Sequence, residues 1–234
     1  MPSQKKLRVL LKLSGESLSD TSASISASAL KRTISEIKSA AGKNTQFAIV
    51  VGAGNIWRGA GKSAERVTAD KMGMLATAMN ALALGDALKK AGVKAKVFSA
   101  AEVTGFAEAF NKNKAIAALN KGCVVVFGGG TGKPFFTTDT ASALRAVEIN
   151  ADILLKATQV DGVYSADPKK DKKAVKFSKL SFKEALAKKL KIMDSEAFSM
   201  CQDSGISIIV FDFYKNGNLK KAVAGKKIGT IVTK

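Results

Sequence analysis

An α/β fold with a mostly parallel central sheet is what this chain predicts, and three features carry that prediction. Apolar runs of about five to seven residues alternate with helical patterns almost throughout the 234 residues. Several of the runs lack polar alternation, as strands covered on both faces do. Polar or glycine-rich stretches follow the runs, where ligands sit in open α/β sheets, beyond the carboxyl ends of the strands.

Strands are expected at 7–12, 46–51, 93–98, 123–127, 152–156, 206–211 and 229–233. Between the first two, Leu30, Ile34, Ile37 and Ala41 form a helical stripe that stops at Gly42, after a Ser/Ala-rich loop and helix start at 19–29. The longest apolar helix spans 69–91, carrying Met72, Leu75, Met79, Leu82 and Leu88, with Gly92 as its stop. Helices at 103–120 and 138–149 follow. Ser181 with Glu184 forms a capping-box pattern that opens a helix at 181–190, and Asp194 caps a helix ending near Gly205.

Composition excludes several chemistries. There is no histidine, so His-based triads, HExxH zinc sites and imidazole acid–base catalysis are absent. Cys123 and Cys201 lie in apolar surroundings without metal or disulfide spacing, which points to a reducing cytoplasm. No apolar run approaches the roughly 18 residues needed to cross a bilayer, and Arg8 and Lys12 interrupt the N-terminal apolar segment. Net charge is +19, from 38 basic and 19 acidic residues. Such a balance attracts polyanions, but the lysines are scattered, arginines are few and no aromatic residues are interleaved to stack bases. Small anions are favoured over nucleic acid as partners.

Four strand ends carry candidate chemistry. In KLSGES, Lys12 to Ser17, a lysine and backbone N–H groups converge on one anion; an ordinary Ser/Gly turn is the competing reading. In VVGAGNIWRG, Val50 to Gly59, Trp57 spoils a GxGxxG fingerprint, while Arg58 offers a bidentate guanidinium or a plain surface charge. VVVFGGGTGKPFFTTDT, 124–140, looks like a Walker A loop and is not one. Three residues separate its Gly128 and Gly132 where the motif has four, and Pro134 stands where a Mg²⁺-binding hydroxyl belongs. LLKATQVDGVYSADP, Leu154 to Pro168, offers Lys156, Thr158, Tyr164 and Asp167 as either a base-binding loop or a charged hairpin tip.

Together these stretches resemble the amino acid kinase family, and within it the bacterial-type UMP kinases. The resemblance rests on KLSGES at 12–17, GNIWRGA at 54–60, ADKMGMLATAMNALALGDAL at 69–88, GTGKPFFTTDTASALRAVEI at 130–149, LLKATQVDGVYSADP at 154–168 and MDSEAF at 193–198. These cover nearly the whole chain in family order. It implies a three-layer α/β/α sandwich forming one domain over 1–234. About 1–150, with a dimer helix at 69–91, would be the acceptor half, and about 151–234 the ATP half.

The resemblance also implies roles. Lys12, Leu13, Ser14 and Gly15 would contact ATP phosphates, with Gly54 and Arg58 beside them. Lys12 would stabilise charge on the transferring phosphoryl group, and Arg58 would neutralise phosphate oxygens. Ala53 would sit in the turn between the two nucleotides. Asp70 would bind the UMP ribose. Thr131, Gly132, Lys133, Pro134, Phe135, Phe136, Thr137 and Thr138 would wrap the UMP. Asp139 would orient Lys12 or Mg²⁺, with Lys156 and Asp194 supporting the centre. Thr158, Tyr164 and Asp167 would hold adenine and ribose. The implied reaction is ATP-dependent phosphorylation of UMP to UDP, in line and without a general base. The implied cofactor is Mg²⁺ with ATP, and no protein metal ligand is assigned. A homohexamer with UTP as feedback inhibitor is expected.

Three departures from the family stand out. Ala53 replaces a usual glycine, Lys133 a usual asparagine, and the Ser-rich segment after Glu16 lacks a glycine-containing loop. The long helix offers Gly85 and Lys89 where relatives carry GTP-responsive residues, so weak or absent GTP activation is expected. A different phosphate or carboxylate acceptor, and a non-catalytic anion-binding protein on the same fold, are the competing readings.

Overall fold

A computed structural model describes residues 6–58, 64–100, 103–168 and 170–234. Its elements in chain order begin with β1 (Leu7–Leu13), a 3-10 turn (Gly15–Leu18), α1 (Ala27–Ala40), β2 (Thr45–Val51) and α2 (Arg66–Lys90). Next come β3 (Ala95–Ser99), β4 (Glu108–Ala109), α3 (Lys112–Asn120), β5 (Val124–Gly128), α4 (Thr138–Glu148) and β6 (Ile153–Thr158). The remainder is β7 (Val163–Tyr164), β8 (Lys176–Phe177), β9 (Lys179–Ser181), α5 (Phe182–Ala187), α6 (Ser195–Ser204), β10 (Ser207–Asp212), α7 (Asn218–Val223) and β11 (Thr230–Thr233).

One sheet orders its strands β4-β3-β5-β2-β1-β6-β10-β11-β9, and β7 with β8 forms a separate hairpin. Every pairing in the large sheet is parallel except β10 with β11. Strand side chains alternate faces, and two cores result. Leu10, Val50, Val125, Phe127 and Leu154 pack under α3, α4, α5 and α6. Val9, Leu11, Leu13, Ile49, Val126 and Leu155 pack under α1, α2 and α7. This is the expected α/β/α sandwich. The four strands whose ends carry the candidate chemistry are the consecutive neighbours β5, β2, β1 and β6. Their loops therefore meet along one edge.

The structure corrects two helix expectations. The helix expected at 103–120 is only Lys112–Asn120, with Asn111 capping it through Lys114 N. Val103, Phe106 and Phe110 share helical spacing, but Gly105 has φ +83° and Val103 bridges Ala107 instead. Phe110 packs edge-on to Phe127, with the Arg145 guanidinium 3.9 Å over its ring. The helix expected at 181–190 ends at Ala187, where Lys189 turns to φ +51°. The capping box of Ser181 and Glu184 and the Asp194 cap are both present.

Helix α2 approaches the sheet closely. A Cβ on Gly128 would lie 2.8 Å from Ala78 Cα and 3.1 Å from Thr77 O, both backbone atoms. Gly128→Ala is therefore expected to cost about 1–3 kcal/mol as overpacking. Differential scanning calorimetry should show a Tm drop of roughly 2–4 °C per kcal/mol. An unchanged Tm would mean that α2 moves off the sheet freely.

Candidate functional site

Lys12 and Lys156 are direct partners in the β1–β6 register. Leu10 and Leu154, two residues before each, both face the α4 side, so both ammonium groups emerge on that face. Two like charges directly opposite on neighbouring strands repel. The first turn of α4 supplies the counter-charge. Asp139 Oδ2 accepts from Lys156 Nζ at 2.7 Å, and Asp139 Oδ1 faces Lys12 Nζ at 3.2 Å. The second contact is an ion pair without hydrogen-bond alignment, because Oδ1 is buried and has no aligned donor. Burial opposes the Asp139 charge, but the ammonium groups of Lys12 and Lys156 outweigh it and hold the carboxyl below its usual range. Burial likewise pushes the Lys156 ammonium down, against the pull of Asp139.

A second carboxylate fixes the helix that delivers Asp139. Asp194 Oδ2 accepts the hydroxyls of Thr137 and Thr140, the latter at 2.8 Å, and its Oδ1 caps α6 through Ala197 N at 2.7 Å. Thr137 is itself the N-cap of α4, accepting from Asp139 N and Thr140 N. One carboxylate thus ties two helix N-termini together. Two residues earlier, Ile192 O accepts from Lys156 Nζ at 2.6 Å. The Cys201 thiol nearby is pushed up to about 12 by burial first and then by Asp139 and Asp194, so it stays protonated.

The β1 and β2 loops are wedged together. A Cβ on Gly15 would lie 2.8 Å from Gly52 O and 2.9 Å from Gly54 N, so only glycine fits. Buried Asn80 on α2 donates to Gly52 O at 2.8 Å and to Asn55 Oδ1 at 2.7 Å. Asn55 donates onward to Ser24 O. Trp57 donates from its indole nitrogen to Ala69 O at 2.9 Å. Arg58 donates to Gly54 O at 2.9 Å and pairs with Glu16, whose other oxygen accepts from Gln159 Nε2 at 3.3 Å.

Two clefts flank this centre. The first, of about 350 Å³, is lined by Ala53, Gly54, Trp57, Arg58, Arg66, Asp70, Gly73, Met74, Thr77, Gly130, Thr131, Lys133, Phe136, Thr137 and Thr138. Asp70 Oδ2 accepts from Phe135 N at 2.7 Å and from Arg66 Nε at 2.8 Å. Desolvation opposes the Asp70 charge, but these donors hold its carboxyl below the usual range. Phe135 has φ +72°, with Arg66 over its ring. Thr131 closes the loop tip by accepting from Lys133 N and donating to Lys133 O. Its base is tied by Gly129 N donating to Thr77 Oγ1 at 2.8 Å.

The second cleft, of about 480 Å³, is lined by Lys156, Thr158, Tyr164, Asp167, Pro168, Ile192 and the lysines 188, 189 and 191. Thr158 spends its hydroxyl on Val160 O and Phe211 O, so it braces the loop. Tyr164 donates to Asp161 at 2.6 Å, a bond that raises the phenol's pKa. Lys156 lines this cleft, and Thr137 and Thr138 line the other. Asp139 stands where the two meet.

The model of the amino acid kinase family matches residues 7–212. The chain belongs to the amino acid kinase family. Among solved structures, the UMP kinase of Bacillus anthracis is 35% identical with a TM-score of 0.94, covering 98% of this chain and 97% of that one. The UMP kinase of Ureaplasma parvum is 36% identical with a TM-score of 0.93, covering 99% and 100%. The uridylate kinase of Archaeoglobus fulgidus is 31% identical with a TM-score of 0.75, covering 97% and 100%.

Within this family fold, the structure brings Lys12, Asp139, Lys156 and Asp194 into one cluster. It gathers Ala53, Gly54, Arg58, Asp70, Thr131, Lys133, Phe136, Thr137 and Thr138 around the first cleft, and Thr158, Tyr164 and Asp167 around the second. Arg58 points its guanidinium at Glu16. Gly59 and Ala60 of the GNIWRGA stretch lie outside the described residues. Sequence reasoning missed Glu16, Asn80, Arg66 and Thr140. An asparagine within an apolar helical stretch was a readable signal for Asn80, which the fold buries fully. Arg66 four residues before Asp70 was one for that pair.

Asp139→Asn removes the carboxylate and leaves two ammonium groups facing each other. Because the folded pKa of Asp139 lies below its unfolded value, its stabilisation is full above about pH 4. It is lost as pH falls through the folded pKa. The variant is expected to lose about 2 kcal/mol at pH 7, less than for a fully buried pair. Thermal melts from pH 7 to pH 3 should show the gap to the parent protein narrowing at the acid end. A gap independent of pH would contradict the charge assignment.

Proposed function

We propose that this chain catalyses ATP-dependent phosphorylation of UMP to UDP. The observation that carries the reading is the Lys12–Asp139–Lys156 cluster at the junction of the two clefts, in a chain 35–36% identical to UMP kinases over nearly its full length. The first cleft takes the acceptor and the second takes ATP. Asp70, held by Arg66 and the Phe135 amide, faces the acceptor ribose. The 131–138 loop wraps the acceptor, and Thr138 N opens α4 toward the acceptor phosphate, since Asp139 N and Thr140 N are committed to Thr137 Oγ1. Lys133, where relatives have asparagine, acts through its backbone, which Thr131 holds.

A phosphate monoester has a second pKa near 6, so it is largely a dianion at neutral pH. It carries no proton to abstract. A chain without histidine is therefore sufficient, and catalysis comes from positioning and positive charge. Lys12 and Lys156 supply two ammonium groups to the transferring phosphoryl, with Asp139 between them and the Asp194 carboxylate acting on Lys156 as well. Asp139 holds their positions and takes no proton.

Magnesium accompanies ATP in this reading. No group of three acidic, cysteine or histidine side chains is gathered for a metal among the described residues. Asp139 has both oxygens turned to ammonium groups. The ion would ride mainly on the phosphates, as Mg²⁺ commonly does, and would neutralise charge there. No helix among the described residues is long and apolar enough to cross a membrane, and we place the enzyme in the cytoplasm.

Met72, Leu75 and Met79 on α2 are 40%, 53% and 54% exposed. That face supports self-association into dimers and a homohexamer. Analytical ultracentrifugation is expected to show an assembly several times the 24.5 kDa chain mass; a monomer alone would contradict it.

A coupled assay of ADP release with UMP, CMP, dUMP and acetylglutamate is expected to favour UMP, with UTP inhibiting and GTP activating weakly or not at all. Lys12→Ala should cut turnover by about 100-fold or more while the fold survives. Near-normal turnover in that variant would remove Lys12 from the reaction. Preference for another acceptor would overturn the substrate.

A further inference from the structure

Glu16 has no assigned role, yet its carboxylate joins the two clefts. One oxygen pairs with Arg58 of the first cleft, and the other accepts from Gln159 in the loop bounding the second. Its backbone is fixed. Gly15 is wedged against Gly52 and Gly54, Ser17 N donates to Ser14 O, and Ser19 N donates to Glu16 O. The side chain is 35% exposed and that of Arg58 is 69% exposed, so the pair is open to exchange with a dissolved anion.

A carboxylate held by a guanidinium on one side and an amide donor on the other has the hydrogen-bonding pattern of phosphate oxygens. Arg58 also donates to Gly54 O, which parks the guanidinium at the rim of the first cleft whichever anion it meets. An exposed ion pair of this kind is weak, so a phosphate dianion displaces it readily.

We propose that Glu16 is a positioning residue that serves as an internal stand-in for substrate phosphate. It keeps Arg58 and the Gln159 loop in place in the empty enzyme, yields Arg58 to the acceptor phosphate, and takes it back on product release. The inference rests on the first cleft being a phosphate site. It survives if the acceptor nucleoside proves to be something other than uridine.

The test measures binding of UMP and of inorganic pyrophosphate, which needs no base, by calorimetry on the full chain. Glu16→Gln removes the competing charge and is expected to tighten both ligands by about 2- to 5-fold, the span of an exposed ion pair. Glu16→Asp keeps the charge but shortens the reach to Arg58 and Gln159, so it too should tighten binding, by at least about 2-fold on the same ground. A merely structural role would weaken binding or leave it unchanged. Either of those results with Glu16→Gln overturns the proposal. Tightening with Glu16→Gln but parent affinity with Glu16→Asp also overturns it, since plain repulsion at a distance would then suffice. Pyrophosphate binding that responds as expected, in a chain that does not bind UMP, would uphold Glu16 and overturn the UMP assignment.

Discussion

Two lysines in register on adjacent buried strands set the terms for the rest of the site. Lys12 and Lys156 share one face of the sheet, and neither is more than about one-sixth exposed. A folded chain does not leave such a pair unanswered, because each buried ammonium loses hydration and repels the other. Asp139 answers both. It sits in the first turn of α4, where the helix dipole also favours a carboxylate. Everything else at the centre serves to hold that turn over the β1–β6 pair. Thr137 caps it, Asp194 accepts from Thr137 and Thr140, and Ile192 O holds Lys156 from the other side. With Asp194 also acting on Lys156, the two ammonium groups face two carboxylates, so the cluster is balanced in charge.

The fold was legible because the strands are buried on both faces and read as plain apolar runs. The cluster was legible in its members but not in its geometry. Lys12, Asp139 and Lys156 lie far apart in the chain, and only the β1–β6 register and the α4 packing bring them together. The 103–120 segment shows why periodicity alone misleads. Val103, Phe106 and Phe110 mimic a helical stripe, yet Gly105 takes a left-handed turn and Phe110 packs between Phe127 and Arg145. Hairpin β7–β8 and helix α7 are too short to show a period. Thr158 illustrates a different limit. Its position beside the second cleft was readable, but that its hydroxyl braces the loop depends on Phe211 from a neighbouring strand.

The glycine-rich stretch after β5 changes meaning once its surroundings are known. As sequence it resembles a phosphate cradle, with Gly128 to Gly130 in place of a Walker loop. In the structure Gly128 is there because α2 crosses within contact distance of its Cα hydrogens, and Gly129 N is committed to Thr77. These glycines fasten the loop to α2. The part of this stretch that lines the first cleft comes later, from Gly130 to the start of α4 at Thr138. A glycine run read by itself suggests a phosphate cradle, whereas Gly128 and Gly129 serve the packing of the loop on α2.

Glu16 and Asp139 illustrate two ways of placing a carboxylate beside cations. Asp139 is buried and bound to both lysines, so displacing it would strand two charges and cost about 2 kcal/mol. Glu16 is about one-third exposed and pairs with a largely exposed arginine on a loop, where the median exposed pair contributes less than about 1 kcal/mol. The difference in burial assigns the difference in role. A carboxylate that must stay while phosphates come and go belongs in the deep position, and one that must leave belongs at the rim. The loop between β1 and α1 can present a removable anion because its own backbone is held by Gly52, Gly54 and the Ser14–Ser19 turn, so losing the ion pair leaves the rest of that segment where it was.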